Sequence, residues 1–428
     1  MVLWFYRLVF LPVLLVMAPY YLWRMRKRGG YREGFENRWG AMPLLPAKRL
    51  GVRRIWLQAV SVGELLAIGP LLKSLRERAD TEVFLTTTTS TGFRVAKERY
   101  ADLVIGVAYF PTDFWPFSAR AWRHVQADLA LLMEGERWPE HIYQAKLRGA
   151  RVMAVNARMS DRSFGRMKRV RSLVPTMMGG IGRLLAVSKE DAARFEQLGF
   201  PSNRITVVGN LKVDNEIIEI DETAKQALRA ELGFKAEDQI LLGSSLWAGE
   251  EAVLIRIWQE LRRKGGRVKL LLVPRHAERR QEVEAIVQSA GRAYNLRSRG
   301  VASGAVEISI ADTTGELQRL TQLAEVVFVG KSLPPHREGQ TPVEAAGLGK
   351  ALVFGPGMGS FRSIAADLVM AGAAIQVPSI EALGGELLKL FLDENRRNEL
   401  GKQGRIWHRA SRGALNRTLE IIISELKK

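Results

Sequence analysis

Two glutamates follow short apolar segments of the kind that form buried β-strands. Glu64 ends the segment 55–64, which contains Gly63, and Glu134 directly follows the apolar residues 129–133. In open α/β sheets, ligands bind at the carboxyl ends of strands, and a glycine there lets a substrate approach the backbone. Two carboxylates at such an edge are typical of an acid–base site. The alternative is that each glutamate only caps the helix that follows it.

The segments that would position these glutamates alternate between strand-like and helix-like along the whole chain. Runs of Val, Ile and Leu with helices between them predict parallel sheets that are covered on both faces. The predicted strands are residues 55–60, 83–88, 129–133, 152–156, 184–187 and 205–208 in the first half, and 240–243, 268–273, 306–308, 326–329, 352–354 and 374–377 in the second. The sequence therefore predicts an α/β protein with two sheets.

The length of 428 residues is too great for one typical core and favours two domains. A polar, acid-rich stretch at residues 212–231 separates the two sets of predicted strands. The predicted organisation is a membrane anchor with a basic flank at 1–28, an N-terminal Rossmann-like domain at 29–215, a C-terminal Rossmann-like domain at 216–392, and a terminal helical segment at 393–428 that could pack back on the first domain.

The N-terminus is apolar and is followed by a cluster of cations. Residues 8–23 carry no charge, and the cations that follow are Arg24, Arg26, Lys27 and Arg28. If Arg7 reaches the far interface, the segment is long enough for a spanning helix, which needs about 20 residues. The positive-inside rule would then place everything after Arg24 in the cytoplasm. A helix that lies in the membrane interface is the alternative.

The net charge of +19 requires a polyanionic partner. A dense group of cations in the first half consists of Arg158, Arg162, Arg166, Lys168, Arg169 and Arg171. No nucleic-acid-binding motif is present, so an anionic membrane surface or a phosphorylated substrate is favoured over nucleic acid. The chain has no cysteine, which excludes thiolate chemistry, and its five histidines lack the spacing of metal ligands. We therefore expect no metal site.

Six short motifs occur in the order in which one enzyme family carries them. They are SVGE at 61–64, TTTTSTG at 86–92, EGERWP at 134–139, VNARMS at 155–160, GNLKVD at 209–214 and LVPRH at 272–276. With these motifs the chain resembles the 3-deoxy-D-manno-octulosonic acid (Kdo) transferases over nearly its whole length. The resemblance implies a GT-B fold, in which two Rossmann-like domains face a cleft. It also implies inverting, metal-independent transfer, without a cofactor, from CMP-Kdo to the lipid A precursor lipid IVA on the cytoplasmic face of the bacterial inner membrane.

The resemblance assigns roles to individual residues of this sequence. Glu64 corresponds to the general base, and Glu134 and Lys212 fall on positions that support the transition state. Binding of the CMP-sugar donor is expected from Pro274, Arg275, Thr314, Gly315, Glu316, Thr341, Pro342, Val343 and Glu344.

One segment of the donor domain departs from the family pattern. The family usually shows Gly-Gly-His-Asn-Pro where this chain has Glu-Gly-Gln-Thr-Pro at residues 338–342. Lys331 stands where a second glycine is common, and Trp247 stands where a His-like residue is usual. Two alternatives to Kdo transfer therefore stay open: a GT-B transferase that uses a different nucleotide sugar, and a non-catalytic, basic, membrane-bound scaffold.

Overall fold

The structure is a computed structural model that describes residues 2–27, 33–265 and 267–428. The chain forms two compact units, the first comprising Met1–Asn215 with Arg412–Lys428 and the second Glu216–Ser411. Arg28 and the predicted boundary between anchor and first domain lie outside the described residues.

The first unit is built from seven parallel strands and the helices between them. The strands are β1 Arg53–Ala59, β2 Thr81–Thr87, β3 Gly106–Tyr109, β4 Leu129–Met133, β5 Arg151–Ala157, β6 Arg183–Ala186 and β7 Ile205–Val207. The helices are α1 Val2–Lys27, α2 Val62–Arg76, α3 Ser90–Tyr100, α4 Trp115–Val125, α5 Pro139–Leu147, α6 Asp161–Arg169, α7 Val174–Met178 and α8 Lys189–Gln197. The strand order is β3-β2-β1-β4-β5-β6-β7.

The second unit repeats this plan. Its strands are β8 Gln239–Leu246, β9 Val268–Pro274, β10 Tyr294–Leu296, β11 Ile308–Ile310, β12 Val326–Val329, β13 Ala351–Phe354 and β14 Ala374–Gln376. Its helices are α9 Glu222–Glu231, α10 Glu250–Arg263, α11 Arg280–Ser289, α12 Leu317–Thr321, α13 Val343–Gly347, α14 Arg362–Met370, α15 Ile380–Leu392 and α16 Glu394–Ser411. The parallel strands follow the order β10-β11-β9-β8-β12-β13-β14.

Both sheets are apolar on their two faces because helices cover both sides. In β1, Trp56 packs into the cluster on one face, and Ile55 and Leu57 pack into the cluster on the other. This burial explains why the strands read as continuous apolar runs. Each of the twelve predicted strands overlaps an observed strand, which confirms the predicted α/β fold, although the strand predicted at 306–308 is shifted to Ile308–Ile310 and shares only Ile308 with the prediction. The two strands that the sequence does not reveal are β3 and β10, which are short, lie at sheet edges and contain glycine or polar residues.

The C-terminal helix α17, Ala414–Lys427, belongs to the first unit. The Asp214 carboxylate accepts the backbone N–H groups of Gly413 at 2.7 Å and Leu415 at 2.6 Å. The apolar side of α17 adds Ile422 and Leu426 to the core on one face of the sheet. Of the predicted terminal segment 393–428, α16 therefore lies in the second unit and α17 in the first.

Helix α1 is long and apolar. The window Leu3–Tyr20 has a mean hydropathy of 1.6, and none of it is buried inside the protein. By length and composition it could cross a membrane.

Candidate functional site

The strand order of the first unit reverses between β1 and β4, which are neighbours in the sheet but not in sequence. In open α/β sheets, such a switch point leaves a crevice at the carboxyl ends of the two strands, and ligands bind there. Glu64 follows β1 and Glu134 follows β4, so the fold brings the two glutamates to the two sides of one crevice.

Glu64 caps α2 and is available for chemistry at the same time. The Ser61 Oγ accepts the Glu64 backbone N–H, and the Glu64 carboxylate accepts the backbone N–H of Val60 at 2.8 Å and the hydroxyl of Ser61 at 3.1 Å. This arrangement is similar to a capping box, but the Glu64 carboxylate accepts the N–H of Val60, the residue before the N-cap Ser61, instead of the N–H of Ser61 itself. The capping interpretation of Glu64 is therefore correct, but it is incomplete because of the environment of the carboxylate.

The Glu64 carboxyl group is buried and lies near other acids. Burial, and then the negative charge of Glu134, raise its pKa to about 7, and Glu136 adds to the shift. The hydrogen bonds from Val60 and Ser61 act in the opposite direction. A carboxylate whose pKa lies near neutrality is suited to take up a proton during turnover.

Glu134 is held by two cations. Its Oε1 lies 2.7 Å from Lys212 Nζ, and its Oε2 accepts from Arg158 Nε at 2.8 Å and from a second Arg158 nitrogen at 2.5 Å. Although burial acts to raise the pKa of Glu134, Lys212 and Arg158 together hold it below its usual value. Glu134 therefore stays ionised beside Glu64. The side chains of Glu134, Lys212 and Arg158 together carry a net charge of +1.

Unusual backbone conformations position this cluster. Glu134 has φ 52° and Asn156 has φ 53°, a left-handed region that non-glycine residues rarely adopt. Asn156 lies where the register between β5 and β6 shifts, and its Oδ1 accepts the backbone N–H of Leu211 at 2.9 Å. The Asn210 side chain accepts the N–H of Lys212 at 3.0 Å. Strained backbone of this kind is concentrated at functional sites.

The donor residues expected from the sequence lie at carboxyl ends of strands of the second unit. Arg275 follows β9 and is exposed; its backbone N–H donates to the Leu246 carbonyl, and its side chain makes no hydrogen bond or ion pair within the described residues. Thr314 and Gly315 follow β11 and are exposed, and Gly315 has φ 90°. The carboxylate of Glu316 is already paired within the protein, because Arg297 donates to both of its oxygens at 2.7 Å. This pairing with Arg297 lowers the pKa of Glu316 to about 2.

Glu344 lies in the first turn of α13, directly after Thr341, Pro342 and Val343. The side chain is partly buried and forms no hydrogen bond or ion pair with another described residue. Burial raises its pKa. A buried carboxyl group without a partner is costly unless a ligand satisfies it.

The segment that departs from the family pattern has a defined structure here. Lys331 adopts φ 57°, which explains why glycine is common at this position. Its Nζ lies 4.0 Å from the centroid of the Trp247 ring, and that ring also contacts His276 and His336. The sequence did not predict this cluster of cations and histidines around an aromatic ring, because its members come from three separate segments.

Glu250 fixes the backbone of the same segment through hydrogen bonds. Its buried carboxylate accepts the backbone N–H groups of Lys331 at 2.7 Å, Ser332 at 2.9 Å and Leu333 at 3.1 Å. It also accepts the N–H of Trp247 at 3.0 Å. Glu250 was not among the expected site residues, although a carboxylate that follows a strand is the same signal that identified Glu64.

The basic group of the first unit divides into two parts. Arg158 points to Glu134, whereas Arg162, Arg166, Lys168 and Arg169 are exposed on α6. In the described ranges, no group of three or more His, Asp or Glu residues is arranged to hold a metal ion.

Comparisons with known proteins identify the family. The family model for 3-deoxy-D-manno-octulosonic-acid transferase (kdotransferase) matches residues 32–215. A 3-deoxy-D-manno-octulosonic acid transferase of Bordetella pertussis is 32% identical over 419 residues, which cover 94% of this chain and 94% of that protein. The transferase of the same name from Haemophilus influenzae is 29% identical over 425 residues, covering 98% of this chain and 96% of that protein.

Solved structures with the same architecture include two that bind uridine nucleotides. Anabaena HepE in complex with UDP matches with a TM-score of 0.62 and 14% identity, covering 87% of this chain and 100% of that chain. The UDP-GlcNAc 2-epimerase of Neisseria meningitidis matches with a TM-score of 0.59 and 12% identity, covering 88% and 100%. These similarities show the fold, which is of the GT-B type. From its similarity to full-length relatives, the chain belongs to the family of the 3-deoxy-D-manno-octulosonic acid transferases, which are glycosyltransferases.

Proposed function

We propose that this protein transfers Kdo from CMP-Kdo to lipid IVA, with inversion and without a metal, in lipopolysaccharide synthesis at the cytoplasmic face of the inner membrane. The observation that carries the proposal is the crevice of the first unit. There, a carboxyl group with a pKa of about 7 lies beside an ionised glutamate that is held by two cations.

In this proposal Glu64 is the general base. It takes the proton of the acceptor hydroxyl as that oxygen attacks the anomeric carbon of Kdo, and the bond from that carbon to the CMP phosphate breaks. General base catalysis contributes about 10²–10⁴-fold to rate. The charge of Glu134 helps the transfer, because it raises the pKa of Glu64 and so increases its affinity for the proton.

Lys212 and Arg158 supply positive charge in the crevice of the first unit, where it would act on anionic groups of the substrates. The side chains of Glu134, Lys212 and Arg158 together carry a net charge of +1, which favours binding of a carboxylate or phosphate of the substrates. Fixed charges of this kind stabilise the developing negative charge without reorganisation. This role of Lys212 agrees with a reaction that needs no metal.

The exposed cations of α6 suit a phosphorylated lipid acceptor. Arg162, Arg166, Lys168 and Arg169 present a positive surface within the first unit, and Asp161 is the acidic residue of the helix. Each such cation near an anionic headgroup contributes about 1 kcal/mol. The same surface can therefore bind the acceptor phosphates and the membrane from which the acceptor is drawn.

Activity is expected to increase with pH up to about 7 and then level off. The protonated form of Glu64 cannot accept a proton, and its pKa in the fold is about 7. We expect log kcat/KM to rise with a slope near one below this pH. A pH profile of the purified enzyme tests this, and Glu136→Gln is the control, because Glu136 also has a pKa raised to about 7 by burial. A profile that loses its inflection in Glu136→Gln would move the assignment from Glu64 to Glu136.

In the second unit, Glu344 is proposed to bind the ribose hydroxyls of CMP. Glu344→Gln is expected to weaken CMP binding by about 10–100-fold, because a hydrogen bond to a charged group contributes roughly 1.5–3 kcal/mol. The same change should leave the fold as stable or make it more stable, since burial raises the pKa of the free carboxyl group. Calorimetric titration with CMP and a thermal melt measure the two effects, and unchanged CMP affinity would contradict the role.

A transfer assay tests the proposed reaction as a whole. Detergent-solubilised full-length protein is incubated with CMP-Kdo generated in situ and with lipid IVA, and the lipid products are analysed by mass spectrometry. A mass increase of one or more Kdo units supports donor and acceptor and counts the transferred units. No product from folded protein that still binds CMP would contradict the choice of acceptor or sugar.

A transferase for a different nucleotide sugar is the second candidate. It is favoured by the cluster around Trp247, because Trp247 and Lys331 stand where the family pattern has other residues and Lys331 Nζ lies over the Trp247 ring. Repeating the assay with a panel of nucleotide sugars distinguishes the two candidates, since only one donor should give a heavier lipid.

A further inference from the structure

The N-terminal helix is bound to the first unit near its own beginning. Arg7 Nε lies 2.8 Å from one carboxylate oxygen of Glu140, and a second Arg7 nitrogen lies 2.9 Å from the other. The Glu140 side chain on α5 is fully buried, and Gln144 also donates to it at 2.6 Å. A bidentate ion pair of this kind fixes both the position and the orientation of the Arg7 side chain.

A second contact lies one residue earlier, and a third follows one turn later. The hydroxyl of Tyr6 donates to the buried Asp113 carboxylate at 2.7 Å. Asp113 also accepts the backbone N–H groups of Glu140 and His141, so the helix joins an existing hydrogen-bond network. The Phe10 ring is stacked on Phe114 at 6.0 Å.

The buried acids explain why these contacts matter energetically. Without α1, the Glu140 carboxylate would lose its guanidinium partner inside the protein, and a buried charge that loses its partner is strongly destabilising. A spanning α1 would bring Arg7 to the far membrane interface. The structure instead places it against a helix of the folded unit.

Both ends of α1 are connected to the same unit. From Arg7 to Lys27 the helix is about 30 Å long, which is the thickness of the hydrocarbon core. Only residues 28–32 link Lys27 to Glu33, and a few residues later Arg38 donates to the backbone of Phe110 in the first unit. A helix that crossed the membrane would carry Arg7 to the side opposite the folded unit, where it could not reach Glu140.

The rest of α1 presents an apolar surface away from these contacts. The partly covered residues recur every three or four positions and therefore form one stripe: Leu3, Tyr6, Arg7, Phe10, Leu14 and Ala18. The other faces carry exposed Trp4, Phe5, Leu8, Val9, Leu11, Val13, Leu15, Val16, Met17, Tyr20 and Trp23. Aromatic residues near both helix ends and the cations of the following sequence are typical of helices at a membrane surface.

We propose that α1 lies in the surface of one leaflet, bound to the first unit through Arg7 and Glu140, and does not cross the membrane. This inference rests on the proposed membrane location of the enzyme. It places the N-terminus on the same side of the membrane as both units. Its partner is the acyl and headgroup region of that leaflet.

The absence of cysteine allows a direct topology test. One variant carries a single cysteine in a short neutral extension before Met1, and the control carries Ser202→Cys, an exposed position of the first unit. Both are expressed in full length, and right-side-out vesicles are treated with a membrane-impermeant maleimide. We expect both cysteines to react only after permeabilisation. Reaction of the N-terminal cysteine in sealed vesicles, with the control protected, would overturn the proposal.

A charge exchange tests the ion pair that holds the helix. Arg7→Glu and Glu140→Arg should each lower the Tm of the solubilised protein by about 5–10 °C, and the double variant should recover most of that loss. Single variants that melt like the native protein would contradict the contact. A full-length native chain found in the soluble fraction would contradict the membrane location itself, which separates that failure from failure of the in-plane arrangement.

Discussion

Glu64→Gln is expected to lower turnover by about 10²–10⁴-fold while CMP binding and stability change little. Glutamine can still accept the backbone N–H of Val60 through its one carbonyl oxygen, and its NH2 group can donate to the Ser61 hydroxyl oxygen, so the cap of α2 is retained. What it cannot do is take up a proton at neutral pH. Single-turnover kinetics of Kdo transfer, with CMP affinity and thermal melting measured in parallel, separate these effects.

Asp191→Asn is a matched control for this variant. Asp191 caps α8 as Glu64 caps α2: Ser188 Oγ accepts its backbone N–H at 3.1 Å and donates to its carboxylate at 2.7 Å. If capping alone explained the effect of Glu64→Gln, Asp191→Asn should lower turnover equally. We expect it to leave turnover within a few fold of the native rate. Native turnover in Glu64→Gln would show that this glutamate is not the base.

Glu134→Gln is expected to have the largest effect on stability. It leaves Lys212 and Arg158 close together in a largely buried place without the carboxylate between them. Removing one partner from a buried ion pair typically costs about 3–5 kcal/mol. Turnover should also fall, because the charge of Glu134 contributes to the raised pKa of Glu64.

The stability effect can be measured within the first unit. Hydrogen exchange of β1, β4 and β5 reports the local loss without assuming that the two units unfold together. Adding Lys212→Met to Glu134→Gln should restore part of the protection, because one of the two repelling cations is removed. Glu98→Gln is the control, since its pair with Arg94 is exposed and should contribute less than about 1 kcal/mol. Equal losses in both glutamine variants would contradict the importance of the Glu134 cluster.

The sequence was sufficient for the strands that are long and apolar, because burial on both faces leaves a direct pattern. It did not reveal β3 and β10. These strands are short and lie at sheet edges, where fewer apolar side chains are needed. It placed Glu64 and Glu134 at strand ends, which required only periodicity and a glycine. It could not show that Arg158 pairs with Glu134, because that contact depends on the left-handed backbone of Glu134 and on the irregular end of β5.

The position of α1 illustrates a different limit. Composition alone favours a spanning helix, because residues 8–23 are uncharged. The proposal that α1 lies in one leaflet rests instead on a pair of residues, Arg7 and Glu140, that are 133 positions apart and meet only in the folded unit. Long-range ion pairs of this type have no local sequence signal.

The return of α17 to the first unit means that this half of the enzyme is not encoded by a contiguous stretch of its gene. A fragment that stopped at Asn215 would leave the Asp214 carboxylate without the N–H groups of Gly413 and Leu415 and would expose the sheet face that Ile422 and Leu426 cover. A circularly permuted gene, in which the codons for 412–428 are joined by a linker to those of the first unit, would be the way to produce that half alone. The second unit, in contrast, is encoded by one contiguous stretch, because it is a single insertion between residues 215 and 412.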